Sequence, residues 1–93
     1  MRVVWSQYAI EDRTKIFEYL VEKNPVAAVE CDAEIGRQIG SLIDFPEIGR
    51  IGRVTGTKEL VVSGTPFIVV YLLDEREIRV LRILHAAQMW PGD

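Results

Sequence analysis

A chain of 93 residues, 48% apolar and carrying a net charge of −3, has room for one core and reads as a single domain over residues 1–93. Lone Cys31 excludes an internal disulfide, no apolar run reaches the roughly 20 residues of a membrane span, and no signal-peptide pattern opens the sequence. A cytoplasmic protein with no membrane partner, no metal and no cofactor is the expectation. A diffuse nucleic-acid binder would be basic overall, because phosphate neutralisation supplies most non-specific affinity. Here residues 1–47 hold nine acids against five bases, and between Arg50 and Lys58 three bases, Arg50, Arg53 and Lys58, stand with no acid.

In chain order, "RVVW" (Arg2 to Trp5) is β-prone and Ser6 is a good N-cap. From Gln7 to Lys23, Ile16, Phe17, Leu20 and Val21 recur at helical spacing among charged residues. Asn24 then caps a second helix with Pro25 at its first position, where a missing N–H costs nothing. Ala28, Cys31, Ile35, Ile39 and Leu42 form its buried stripe, and Phe45 before Pro46 is a natural stop. So short a turn between the helices predicts an antiparallel hairpin.

"PEIGRIGRVTGT" holds Gly49, Gly52 and Gly56 and reads as a loop. Beyond it "KELVV" (Lys58 to Val62), "PFIVVYLL" (Pro66 to Leu73) and "EIRVLRILH" (Glu77 to His85) are strand-like runs with short connectors, which predicts an antiparallel meander. The fold class is therefore α+β, in the order β-α-α-β-β-β, with the helical hairpin on one face of an antiparallel sheet. On a strictly alternating last strand Ile78, Val80, Arg82 and Leu84 share one face, and Arg79, Leu81, Ile83 and His85 the other. An arginine that cannot shed its charge avoids the core. Leu81 and Ile83 are thus expected to face the helices, and Arg82 to project from the open face near Lys58 or Glu59.

The order "VVWS", "NPVAA", "DFPEIGRIGRVTGTKELVV", "TPFIVVYLL" and "IRVLRILHAAQMWP" resembles the RelE/ParE toxins of bacterial type II toxin–antitoxin modules across nearly the whole chain. The resemblance implies a RelE-like fold, arrest of bacterial growth, and a cognate antitoxin that wraps the toxin in a hetero-oligomer. RelE-type members cut mRNA on the ribosome with basic side chains on the open face. The positions matching their arginines fall here on Ile68 and near Ala87 or Gln88, none of them basic. ParE-type members look closer: they share an "IRVLH"-like ending, seen here as "LRILH", and poison DNA gyrase without catalysis of their own.

Three readings follow, a gyrase poison, a ribosome-dependent mRNA endonuclease and a non-toxic interaction module. As a nuclease the chain would have to use Lys58, Glu59, Arg82 and His85, with Arg53 a further candidate, since cleavage through a 2′-hydroxyl needs proton transfer and cations on the phosphate. As a gyrase poison it would offer Arg50, Arg53, Arg82, His85, Gln88 and Trp90. Each has a structural alternative: a lone histidine lacks the orienting partner of a catalytic base, Trp90 before Pro91 can pack over a sheet edge, Arg50 and Arg53 can be solvated, and Lys58 and Glu59 can pair across the sheet. The first helix carries more apolar residues than one stripe requires. Tyr8, Ile10, Phe17, Tyr19 and Val21 are therefore the expected antitoxin contacts, with strand addition at the sheet's outer edge.

Overall fold

The computed structural model describes residues 1–92; Asp93, the last residue of the expected domain, lies outside the described residues. Strand β1 (Arg2–Trp5) leads to helix α1 (Gln7–Lys23), whose first turn is closed by Ser6 Oγ accepting from the Ala9 N–H at 3.0 Å. Asn24 caps α2 (Pro25–Gly40) in the same way, through Oδ1 and the Ala27 N–H at 3.1 Å, with proline in the first turn. The predicted stop at Phe45 comes early: α2 ends at Gly40, a 3₁₀ turn covers Ser41–Ile43, and Phe45 is exposed.

Four more strands follow, β2 (Arg50–Ile51), β3 (Lys58–Val61), β4 (Phe67–Leu73) and β5 (Glu77–His85), in the sheet order β1-β5-β4-β3-β2. Two features depart from the expected meander. β1 pairs parallel to β5, and the loop before Lys58 contains β2, which pairs antiparallel to β3 through Arg50 with Glu59 and Ile51 with Lys58. A two-residue strand has no pattern of its own; its partner defines it.

The helices are locked to each other by Arg13 of α1, which donates to both carboxylate oxygens of Asp32 of α2, at 2.7 and 3.2 Å, and lies over the Trp5 ring. Ile35, Ile39 and Leu42 pack on Leu60, Val62, Phe67, Val69, Tyr71, Ile78, Val80 and Ile83. Ile78 and Val80 sit in this core together with Ile83, which strict alternation forbids. The explanation is a bulge: Val70 pairs with Arg82 and Tyr71 with Val80, leaving Leu81 as an extra residue on β5. The chain therefore switches faces once, and the expectation that Ile78 and Val80 turn away from the helices is corrected.

Two buried polar groups tie the hairpin and the long loop to the sheet. Gln38 of α2 donates to the Ser63 carbonyl at 3.0 Å and accepts the Ser63 N–H at 2.9 Å. The fully buried Tyr71 hydroxyl donates to the Pro46 carbonyl at 2.8 Å and accepts the Gly49 N–H at 3.0 Å.

Candidate functional site

The basic segment after α2 is organised by one acid. Glu59 on β3 has a side chain only 1% exposed, yet no buried side-chain nitrogen or oxygen among the described residues lacks a hydrogen-bond partner. Its carboxylate accepts the Arg53 N–H at 2.8 Å, the Arg53 Nε–H at 3.2 Å and an Arg50 Nη2–H at 3.1 Å. Burial pushes this carboxyl upward, but the backbone and guanidinium donors outweigh it and hold it below the ordinary glutamate value. Arg53 also donates to the Gln88 carbonyl at 3.4 Å, and Gln88 Oε1 accepts the His85 N–H at 3.4 Å. Arg50, Arg53, Gln88 and His85, four of the expected target-binding residues, are thus connected at one end of the sheet. Trp90 follows, half-buried, on the same C-terminal segment.

Arg82 is not part of that cluster. It stands in register with Val70, and through Val70 with Glu59, but its guanidinium turns to Asp12 of α1, which accepts from Nε at 2.7 Å and from Nη2 at 3.0 Å. The expectation that Arg82 projects toward Lys58 or Glu59 is corrected: an acid one helix away, unpredictable from strand alternation, draws it toward the β5 edge where β1 ends.

The four nuclease candidates are occupied separately. Glu59 accepts from two arginines, and Arg82 is bound by Asp12. His85 Nδ1 accepts the Ala87 N–H at 3.0 Å while its ring stands edge-on to Phe67, and Lys58 lies 3.9 Å from Glu47. No hydrogen bond joins any two of the four side chains. Among the described residues no group of three or more His, Cys, Asp or Glu side chains could hold a metal ion, and no helix is long and apolar enough to cross a membrane.

A groove of about 830 Å³ opens between α1, α2 and the β3–β4 turn, with Ile16, Tyr19, Leu20, Ala27, Cys31 and Phe67 in its apolar wall and His85, the strand partner of Phe67, at its rim. Glu30 and Glu34 line it too. Arg37 and Gln38 hold the Glu34 carboxyl down to about 2, so it stays ionised in the groove wall, where Lys15 also stands. A smaller groove of about 420 Å³ lies along Trp5, Ile10 and Phe17. Of the expected antitoxin contacts, Tyr8, Ile10 and Tyr19 are exposed and Phe17 and Val21 half-buried. Tyr8 lines neither groove. The α2 wall was missed in the sequence, where Cys31 falls on the buried stripe; in the structure it is half-buried and lines the groove.

Residues 3–90 match the family model described as the ParE toxin of the type II toxin–antitoxin system parDE. "Putative toxin Y4kP" of Sinorhizobium fredii is 34% identical over 90 residues, covering 97% of this chain and 93% of that protein. "Toxin RelE2" of Caulobacter vibrioides is 33% identical over 88 residues, covering 95% and 98%. A solved structure described as the chromosomal ParDE TA system from P. aeruginosa superposes with a TM-score of 0.83 at 26% identity, covering 91% of this chain and 95% of that one.

Proposed function

The chain belongs to the ParE toxin family of type II toxin–antitoxin systems, and from that premise we propose that it arrests growth by binding DNA gyrase and stalling the enzyme with its DNA cut. No catalysis of its own is involved. The observation that carries this reading is the separate engagement of Lys58, Glu59, Arg82 and His85. A ribonuclease needs an acid, a base and phosphate-binding cations converging on one reacting site. Here the acid is buried under Arg50 and Arg53, and the central arginine is spent on Asp12. What the surface does offer is a connected array, Arg50, Arg53, Gln88 and His85, with Trp90 beyond it, the residue types from which a protein interface is built.

The partner that silences the toxin is, on this reading, an antitoxin segment. An amphipathic helix fits the apolar groove between the hairpin and the β3–β4 turn, with Tyr19 at its wall. A strand adds at β2, the sheet edge, where Ile51 is 89% exposed. The groove and the Arg50–Arg53 cluster lie on different elements and meet at His85, which lines the groove, so the antitoxin covers His85 and need not cover every other target contact.

The test is a supercoiling and DNA-cleavage assay with purified gyrase, ATP and the protein, with the preformed antitoxin complex as control. Trapped cleaved DNA that the antitoxin prevents supports the poison. No effect at micromolar toxin together with mRNA cut on ribosomes replaces it by the endonuclease reading. No growth arrest on expression without antitoxin leaves a non-toxic interaction module.

A further inference from the structure

The Glu59 cluster has a feature that packing alone does not call for. Glu59 pairs in register with Val70, which is fully buried, and its strand neighbour Leu60 is buried as well. A valine at position 59 would pack there with no carboxylate to desolvate, but it would leave the Arg53 N–H and two guanidiniums without their shared acceptor. What the carboxylate provides is placement. It draws in the Arg53 N–H and guanidinium from the loop and the Arg50 guanidinium from β2, while the arginine side chains remain 35% and 56% exposed. Two cations share one hidden anion, so the surface of the cluster keeps a net positive charge.

The loop is shaped to this end. The Gly52 N–H donates to the Thr57 carbonyl at 2.8 Å, and a Cβ on Gly52 would lie 2.1 Å from Thr57 Oγ1. Gly56 adopts φ +88°, which favours glycine. Arg53, at the centre of this turn, bonds to Glu59 and to the Gln88 carbonyl. The chain from Ala86 to Gln88 is fixed in turn, by the Ala86 N–H on the Pro66 carbonyl and the Gln88 N–H on the His85 carbonyl, both at 2.8 Å.

We infer that Glu59 is a positioning residue: it holds Arg50, Arg53 and, through Arg53, the C-terminal turn that precedes Trp90 as one pre-formed surface for the toxin's target. The inference rests on the gyrase reading for the identity of that target and on geometry alone for the coupling of loop to turn. Pre-organisation of this kind removes ordering costs at binding.

Glu59→Val and Glu59→Gln are compared with wild type in three assays: gyrase supercoiling, antitoxin affinity, and amide exchange by NMR at Arg53, Thr57 and Gln88. In both variants we expect antitoxin affinity within twofold of wild type, at least tenfold faster exchange at the three amides, and at least tenfold more toxin needed to inhibit gyrase. The faster exchange should be confined to these three amides while the amides of β4 stay protected, a split that a merely structural carboxylate, whose loss loosens the whole sheet, would not show. Should both variants fail to fold, Arg53→Met keeps the backbone bond to Glu59 and cuts the tie to Gln88; faster exchange at Gln88 is then the expected result. Unchanged exchange in a folded variant overturns the inference, as does faster exchange with gyrase inhibition intact. A wild-type protein without effect on gyrase counts against the gyrase reading, while the exchange data still decide whether Glu59 joins loop and turn.

Discussion

Asp12 of α1 and Arg82 of β5, 70 residues apart in sequence, form a two-point ion pair of 2.7 and 3.0 Å, and the same carboxylate accepts the Ile83 N–H at 2.9 Å. One side chain thereby settles both a charge and an edge amide left open where β1 ends. The Ser6 hydroxyl, donating to the Leu81 carbonyl at 2.7 Å, completes the seam. Removing one partner of a fully buried pair costs about 3–5 kcal/mol. With 15% of the Asp12 and 29% of the Arg82 side chain exposed, Asp12→Ala is expected to cost about 2–3 kcal/mol, because the Ile83 amide also loses its acceptor. Urea titration of Asp12→Ala, Arg82→Met and the double variant should give a coupling of about 1–2 kcal/mol; additive effects would show that the pair does not hold α1 to β5.

Acid should loosen the Arg50–Arg53 cluster through Glu59. Its carboxyl titrates below the ordinary value of 4.5 when folded, so the folded state binds fewer protons than the unfolded chain. The stabilisation is fully present above about 4.5 and is lost as pH falls through the lower folded value. Asp74, held down by the Arg76 and Glu77 N–H groups, acts in the same direction. Urea midpoints measured from pH 7 to pH 3 should therefore be flat above pH 5.5 and fall below it. The difference curve between wild type and Glu59→Gln isolates the Glu59 part; parallel curves would mean that the carboxylate is not clamped in solution.

Local signals were legible in the sequence and remote ones were not. Ser6 and Asn24 announce their helices because each cap bonds an amide only three residues ahead, and the bounds of α1 and β5 follow from residue type and periodicity alone. The bulge at Leu81 depends on Ser6 and Asp12 reaching over from α1, so no reading of β5 by itself could show that Ile78 and Ile83 share a face. For the same reason Arg50 and Arg53 read from sequence as target-binding or solvated residues, and Glu59 only as a nuclease candidate or a cross-strand partner of Lys58, with no sign that it gathers the arginines. Distance along the chain hid the partner, and the partner decides the role.

The Tyr71 hydroxyl and Gly49 give a second mutational test. A Cβ at Gly49 would lie 2.6 Å from that hydroxyl oxygen, so Gly49→Ala must displace a buried ring or the loop. We expect it to cost about 2–3 kcal/mol, at the upper end of ordinary substitutions. Tyr71→Phe loses two hydrogen bonds and leaves the Pro46 carbonyl and Gly49 N–H unpaired, about 1–3 kcal/mol. In the double variant the contact with the hydroxyl is gone while those with Cε1 and Cζ, at 2.7 and 3.0 Å, remain; because the Gly49–Tyr71 hydrogen bond is lost only once, thermal unfolding should show a loss smaller than the sum by at least 0.5 kcal/mol.

Placing the antitoxin in the groove, as proposed, predicts an order among aromatic residues that exposure alone would invert. Tyr8 and Tyr19 are 68% and 64% exposed, so counted by accessibility Tyr8 is the better contact. Tyr19, however, stands in the wall of the larger groove beside Ile16, Leu20 and Ala27, whereas Tyr8 lines no groove. An aromatic anchor gains most where a partner can be desolvated around it, and such residues cost about 2 kcal/mol or more when truncated. Tyr19→Ala should weaken antitoxin binding roughly thirtyfold and Tyr8→Ala less than threefold, a gap of more than about 1 kcal/mol. Ala27→Tyr, which fills the groove from α2, should weaken binding at least tenfold while the melting temperature moves by no more than about 4 °C, as expected for a change of less than 1 kcal/mol in a domain of this size. Isothermal titration at one fixed salt concentration reads all three variants. Equal losses at Tyr8 and Tyr19, with Ala27→Tyr unaffected, would move the antitoxin off the groove and onto the outer surface of α1.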